Sequence, residues 1–255
     1  MHNNVMMRGP LRQLSTPASV LAPRYTGIPS FMRAPVAIGQ GELEAAFRDR
    51  PGVALLGVPF DGGVTNRPGA RHGPREVRNS SSMMRAIHPT HLVNPFEMCP
   101  IVDAGDAPVE NVYKVADAHA EIQARAETIL RAGGTPLSIG GDHSVSLPLL
   151  RAMKQHVGQP LALIHVDAHC DTWDSLWGED DHHGAPFRRA VEEGLISPAN
   201  VVQVSRCLIW TSRMRRDLLT PRLNRLAFEE PRISLTAGTI LGNASRCFPC
   251  TKSHK

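Results

Sequence analysis

Two apolar runs of strand length each empty into side chains that can ligate metal, and nothing else in the chain constrains its fold as tightly. The first, TPLSIGGDHS, delivers His143; the second, LALIHVDAHCD, delivers Asp167, His169 and Asp171. On extended backbone, residues two apart point to the same side. The spacing therefore predicts that Asp167, His169 and Asp171 converge on one point. A helix-length segment separates the two runs, and strands alternating with helices predict an α/β fold with a parallel sheet flanked by helices. In open sheets of that kind, ligands bind at the carboxyl ends of the strands, where both clusters sit.

The rest of the chain extends the alternation as far as Val204. Residues 53–58 read as a buried strand, followed by a Gly-rich loop, PFDGGVTNRPGARHGP. Pro74 suits a first helical turn, and that helix is expected to reach Arg85. A short strand at Cys99–Val102 is expected to lead into a turn at DAGD. Residues 110–132 carry a helical stripe of Val112, Val115, Ala116, His119, Ile122, Ala126, Ile129 and Leu130, closed by Gly133-Gly134. Strand 135–139, helix 144–157, strand 161–166, loop 172–183, helix 184–194 and strand 200–204 complete the expected domain, 22–204.

Composition bounds the remainder. The 255 residues suffice for one large domain, and no apolar stretch has the length of a membrane span. Residues 1–21 read as a flexible arm rather than a targeting signal. Five scattered cysteines (Cys99, Cys170, Cys207, Cys247 and Cys250) fit a reducing, cytoplasmic setting better than a disulfide framework. Residues 205–255 hold ten Lys/Arg against three Asp/Glu, so the net charge of +4 arises in this tail. Sparse aromatics and the lack of a recognisable binding fold argue against a nucleic-acid partner. Cys247, Cys250 and His254 offer only three of the four ligands that a structural zinc needs.

A donor set of carboxylates and imidazoles suits Mn²⁺, with Fe²⁺, Co²⁺ and Zn²⁺ as competitors. Two ions sharing a carboxylate can hold a water, lower its pKa and aim it at an electrophilic carbon. Asp142, beside His143, is expected to orient that ligand rather than to bind metal itself.

GGDHS (140–144), DAHCD (167–171) and HHGAPFRRAVEEGL (182–195) resemble the ureohydrolase family of arginases, agmatinases and guanidinobutyrases. GVPFDGGVTNRPGARHGPREVR (57–78) and APRYTGIPSFMR (22–33) resemble its agmatinase branch. The resemblance implies a three-layer arginase-like fold, commonly in a homo-oligomer, that cleaves a guanidino C–N bond of a small substrate to give urea and an amine. It implies two Mn²⁺ ions, one held by His143, Asp167 and Asp171 and the other by Asp167 and His169. His183 would stand beside the guanidinium and protonate the leaving amine. Loop 172–183 contains Asp174, Glu179, Asp180 and Asp181 and no Lys or Arg. Asp174 and Asp181 are therefore expected to favour a cationic substrate tail, as in agmatine, unless a base reaches in from elsewhere.

The sequence departs from the family after Val204. The later Asp-x-Asp that completes both metal shells has no counterpart, because Asp217 is the one aspartate after His183. Losing the family's last two strands, which lie in mid-sheet, is expected to leave strand edges open. The abrupt change in charge and periodicity predicts a tail of different origin, such as a shifted reading frame, which the coding DNA across codon 204 would test. Three readings remain: an agmatinase-like hydrolase, a guanidinobutyrase- or guanidinopropionase-type hydrolase, and an inactive fragment.

Overall fold

Five parallel strands carry the architecture: β1 (Gly52–Val58), β2 (Ile101–Asp106), β3 (Gly134–Gly140), β4 (Leu161–Val166) and β5 (Ile196–Val204). The structure is a computed structural model that describes residues 23–204. The expected arm at 1–21 and the basic tail at 205–255, with Cys247, Cys250 and His254, lie outside the described residues. The helices are α1 (Gln40–Phe47), α2 (Gly73–Ser81), α3 (Pro95–Met98), α4 (Val115–Arg131), α5 (Ser146–Val157) and α6 (Pro186–Glu192).

The strands form two parallel pieces, ordered β2-β1-β3 and β4-β5. β1 runs in register with β3 from Gly52↔Gly134 to Val58↔Gly140. β4 meets β5 up to Val166↔Val204. Among the described residues β3 and β4 do not pair with each other, and Leu137, Ile164 and Val166 on them are exposed. Helix contacts bridge the two pieces instead, because α4 packs on both β3 and α5.

β1 is apolar along its length and buried at six of seven positions, as befits a strand covered on both faces. Leu43 and Phe47 of α1, Leu56 and Val58 of β1, Val102 of β2 and Ile122 and Ile129 of α4 form the main core. Leu147, Ala190, Leu195 and Ile196 form a second cluster beside β4 and β5. The stripe read on α4 is buried from Ala118 and His119 to Leu130, although the helix starts at Val115, so Val112 precedes it.

Other expected boundaries move as well. α2 stops at Ser81 rather than Arg85, where the Ser81 and Ser82 hydroxyls donate to the Arg78 and Asn79 carbonyls. β5 begins at Ile196, four residues before the expected 200. The expected turn at DAGD is strand: β2 continues through Asp106. Asp103 sits there buried because Arg78 grips both its oxygens (2.9 and 3.0 Å) and the Phe31 N–H donates to it at 2.8 Å. The Arg78 guanidinium also lies 4.0 Å from the Phe31 ring centroid, so one residue joins α2, β2 and the N-terminal segment.

Candidate metal centre

The turn after β3 brings His143 to the site, and its glycines explain how. The Gly141 N–H donates to the Val58 carbonyl at 3.1 Å and the Asp142 N–H to the Phe60 carbonyl at 2.8 Å. A Cβ on Gly141 would lie 2.0 Å from the Phe60 carbonyl oxygen, so this turn has no room for a side chain there. Asp142 then cross-links the region. Its carboxylate accepts from the Ser144 N–H at 2.7 Å and, across to the Gly-rich loop, from the Gly63 N–H at 2.8 Å. The side chain expected to orient His143 is thus committed to backbone donors.

Beyond β4 the chain bends rather than continuing as strand. Asp171 takes a left-handed conformation (φ 49°), unusual for a residue with a side chain. Its carboxylate lies 2.6 Å from His143 Nδ1, and that of Asp167 lies 3.7 Å from the same nitrogen. His143, Asp167 and Asp171 are therefore brought together. His165 joins them, with Nε2 3.7 Å from Asp167 and 4.0 Å from Asp171, so that the four donor atoms lie within 4.8 Å of one another. His169 stands apart. Its imidazole is 75% exposed and lies 3.5 Å from Asp167 Oδ1 on the outer side.

His165 is not among the residues that the strand-end motifs single out, although the sequence carries a signal for it. It is a lone histidine in an apolar strand, two residues before Asp167, and the alternation that predicts convergence holds backward along β4 but fails past its end. Gln203 on β5 contacts His165 Nδ1 at 3.2 Å, and the Phe187 ring packs 4.3 Å from the imidazole. Nε2 is left buried without a hydrogen-bond partner. An orphaned imidazole nitrogen aimed at two carboxylates and a second imidazole fits a divalent cation.

The electrostatics agree with that fit. The hydrogen bond that His143 donates to the Asp171 carboxylate raises the pKa of His143 against the opposing effect of burial. Burial pushes Asp167 up, but the His169 N–H and the surrounding imidazoles outweigh it and hold the carboxyl below its ordinary range. Burial lowers His165, which favours the neutral, ligating form of the ring.

His183 lies at the rim, against the Gly-rich loop. Its N–H donates to the Gly63 carbonyl at 3.0 Å, and its Nε2 lies 2.8 Å from Thr65 Oγ1. Burial lowers its pKa, with Asp142 pulling the other way.

The two aspartates expected to meet a substrate tail are already engaged. Asp174 pairs with Arg188 and Arg189, each at 2.9 Å. Asp181 lies 3.5 Å from Arg151 Nη2 and 3.6 Å from the fully buried His119, whose other nitrogen is 3.2 Å from the Ser144 hydroxyl. The loop has no Lys or Arg of its own, and bases do reach in, from α5 and α6.

The arginase family's sequence model matches residues 51–219. The chain is 46% identical over 183 residues to a guanidinopropionase of Pseudomonas aeruginosa, covering 71% of this chain and 54% of that protein. It is 44% identical over 188 residues to a human mitochondrial guanidino acid hydrolase, covering 74% and 51% respectively. The chain thus spans about half the length of these curated relatives. The crystal structure of a hypothetical agmatinase from Burkholderia thailandensis superposes with a TM-score of 0.64 at 36% identity, over 74% of this chain and 57% of the other.

Proposed function

The chain belongs to the arginase family, and from that premise we propose a metal-dependent guanidino hydrolase that acts on a guanidino acid. The observation that carries this reading is the quartet of His143, His165, Asp167 and Asp171, with His183 at its rim. The quartet would hold Mn²⁺, and Asp167 with His169 would serve a second ion. When bound, such a cation supplies the Lewis acidity that lets water act as a nucleophile near neutral pH.

The chain's own groups handle the proton. Burial favours neutral His183 at neutral pH, which can accept the proton lost by the attacking water. Water oxygen bonds to the guanidino carbon, and the bond from that carbon to the substituted nitrogen breaks. His183 returns the proton to the departing nitrogen, the remaining hydroxyl proton passes to the released amine as the carbonyl of urea forms, and urea and an amino acid result. Asp142 and Gly63 fix the turn and the loop between which this takes place.

Two observations support a guanidino acid over agmatine. Asp174 and Asp181, the acids on which the agmatine expectation rested, are paired with arginines. Both curated relatives described above bear the names of enzymes for guanidino acids. The setting we propose is a reducing one, in keeping with free Cys99 and Cys170; no helix among the described residues is long and apolar enough to cross a membrane. A chain that binds metal without turnover is the second reading, favoured by the single aspartate after His183.

The test is urea release by the manganese-loaded full chain from 3-guanidinopropionate, 4-guanidinobutyrate and agmatine. Faster release from one of the two acids is expected. Preference for agmatine would overturn the substrate assignment, and metal retention with no urea from any of the three would leave the second reading standing.

A further inference from the structure

The contact between Thr65 and His183 spans two segments far apart in sequence, and the His183 imidazole feels the charges of Asp171 and His143 in the quartet. The loop that carries Thr65 is not free to drift. Gly63, two residues earlier, receives the His183 N–H on its carbonyl at 3.0 Å and gives its own N–H to Asp142 at 2.8 Å. A Cβ at Gly63 would lie 2.8 Å from the Ser144 hydroxyl, so the loop sits against the turn that follows β3. The bond from the His183 N–H to the Gly63 carbonyl thus sets the separation of the two segments, and the Thr65 hydroxyl meets Nε2 at 2.8 Å.

A hydroxyl has one proton to donate and two lone pairs to accept with. It can donate to a neutral imidazole nitrogen or accept from a protonated one. A carboxylate could only accept, and a lysine could only donate. Threonine is therefore a partner that Nε2 keeps in either state of the ring, and Nδ1 is the nitrogen left to exchange the proton. We propose that Thr65 is a positioning residue for His183, holding Nε2 and with it the orientation of the ring throughout the proton's passage. The proposal rests on the reading of His183 as the group that carries the proton.

The test reads the ring directly and does not depend on turnover. The ¹⁵N-labelled full chain is examined by NMR for its histidine side-chain nitrogens, with the His183 signals assigned by their loss in His183→Asn. The wild-type protein and Thr65→Ser are expected to show one dominant neutral tautomer at His183, with well-separated nitrogen shifts. In Thr65→Val the two shifts are expected to move toward a common averaged value, while the other histidines keep theirs. Thr65→Ala removes the same hydroxyl without bulk, should the valine disturb folding. Unchanged His183 shifts in the hydroxyl-free variants would overturn the proposal, as would an equal change in Thr65→Ser. Where urea release is measured, Thr65→Val is expected to lower kcat about tenfold with KM within about twofold, and Thr65→Ser to restore it. If no substrate yields urea while the NMR result holds, the hydrolase reading fails and the positioning role stands.

Discussion

At the scale of single residues, His165 and His169 divide what strand alternation predicts for both. Each is two positions from Asp167, so local parity alone treats them alike. β4 is still extended at His165, which shares the side of the Asp167 carboxylate. The backbone has bent by His169, and Asp171 has turned left-handed. Manganese affinity, measured by calorimetry on the purified chain, is expected to fall at least tenfold in His165→Ala. His169→Ala is expected to cost less. A larger loss from His169→Ala would show that the exposed imidazole turns inward when metal binds and that it, rather than His165, is the principal ligand.

At the scale of elements, the sequence reading succeeds where periodicity is long and local. β1, β4 and most of α4 fall where their patterns place them, because each buries a continuous apolar face. It fails where a distant partner decides. DAGD has turn composition, but Arg78 and the Phe31 N–H satisfy the Asp103 carboxylate and let β2 run on. The glycine pair in GGDHS has a reason that only packing reveals. Gly141 lies against the carbonyls of Val58 and Phe60, at the distances a methyl group would need for itself. Gly141→Ala is expected to destabilise the fold by about 1–3 kcal/mol in denaturant unfolding, the usual range for forced overpacking. It should also weaken metal binding by displacing His143. Unchanged stability would show that the two strand ends can separate without cost.

At the scale of the whole molecule, side chains connect pieces that no strand pairing joins among the described residues. A line from Ser144 through His119, Asp181 and Arg151 to Glu193 joins the turn after β3, α4, loop 172–183, α5 and the end of α6. Asp181 is held below the ordinary carboxylate range by His119 first and then by Arg151, against the opposing effect of burial. A carboxylate with a depressed folded pKa contributes stability that is present above its unfolded value, about 3.9, and is lost as pH falls through the folded value. The thermal midpoint of the wild-type chain is therefore expected to fall more steeply than that of Asp181→Asn below about pH 4. Parallel acid limbs in the two proteins would mean that Asp181 does not couple to this network.

The sequence by itself determined the α/β class, the strand ends that bear the candidate ligands and the family, since each is written in local periodicity or in a contiguous motif. It also supplied His143, Asp167 and Asp171 as a group that meets in space. Only the tertiary structure brought His165 to the quartet, set the Thr65 hydroxyl 2.8 Å from His183 Nε2, and paired Asp174 and Asp181 with arginines. Alternation ceases to specify direction once a strand bends. Ion pairs and hydrogen bonds between segments depend on a separation in space that spacing along the chain does not encode.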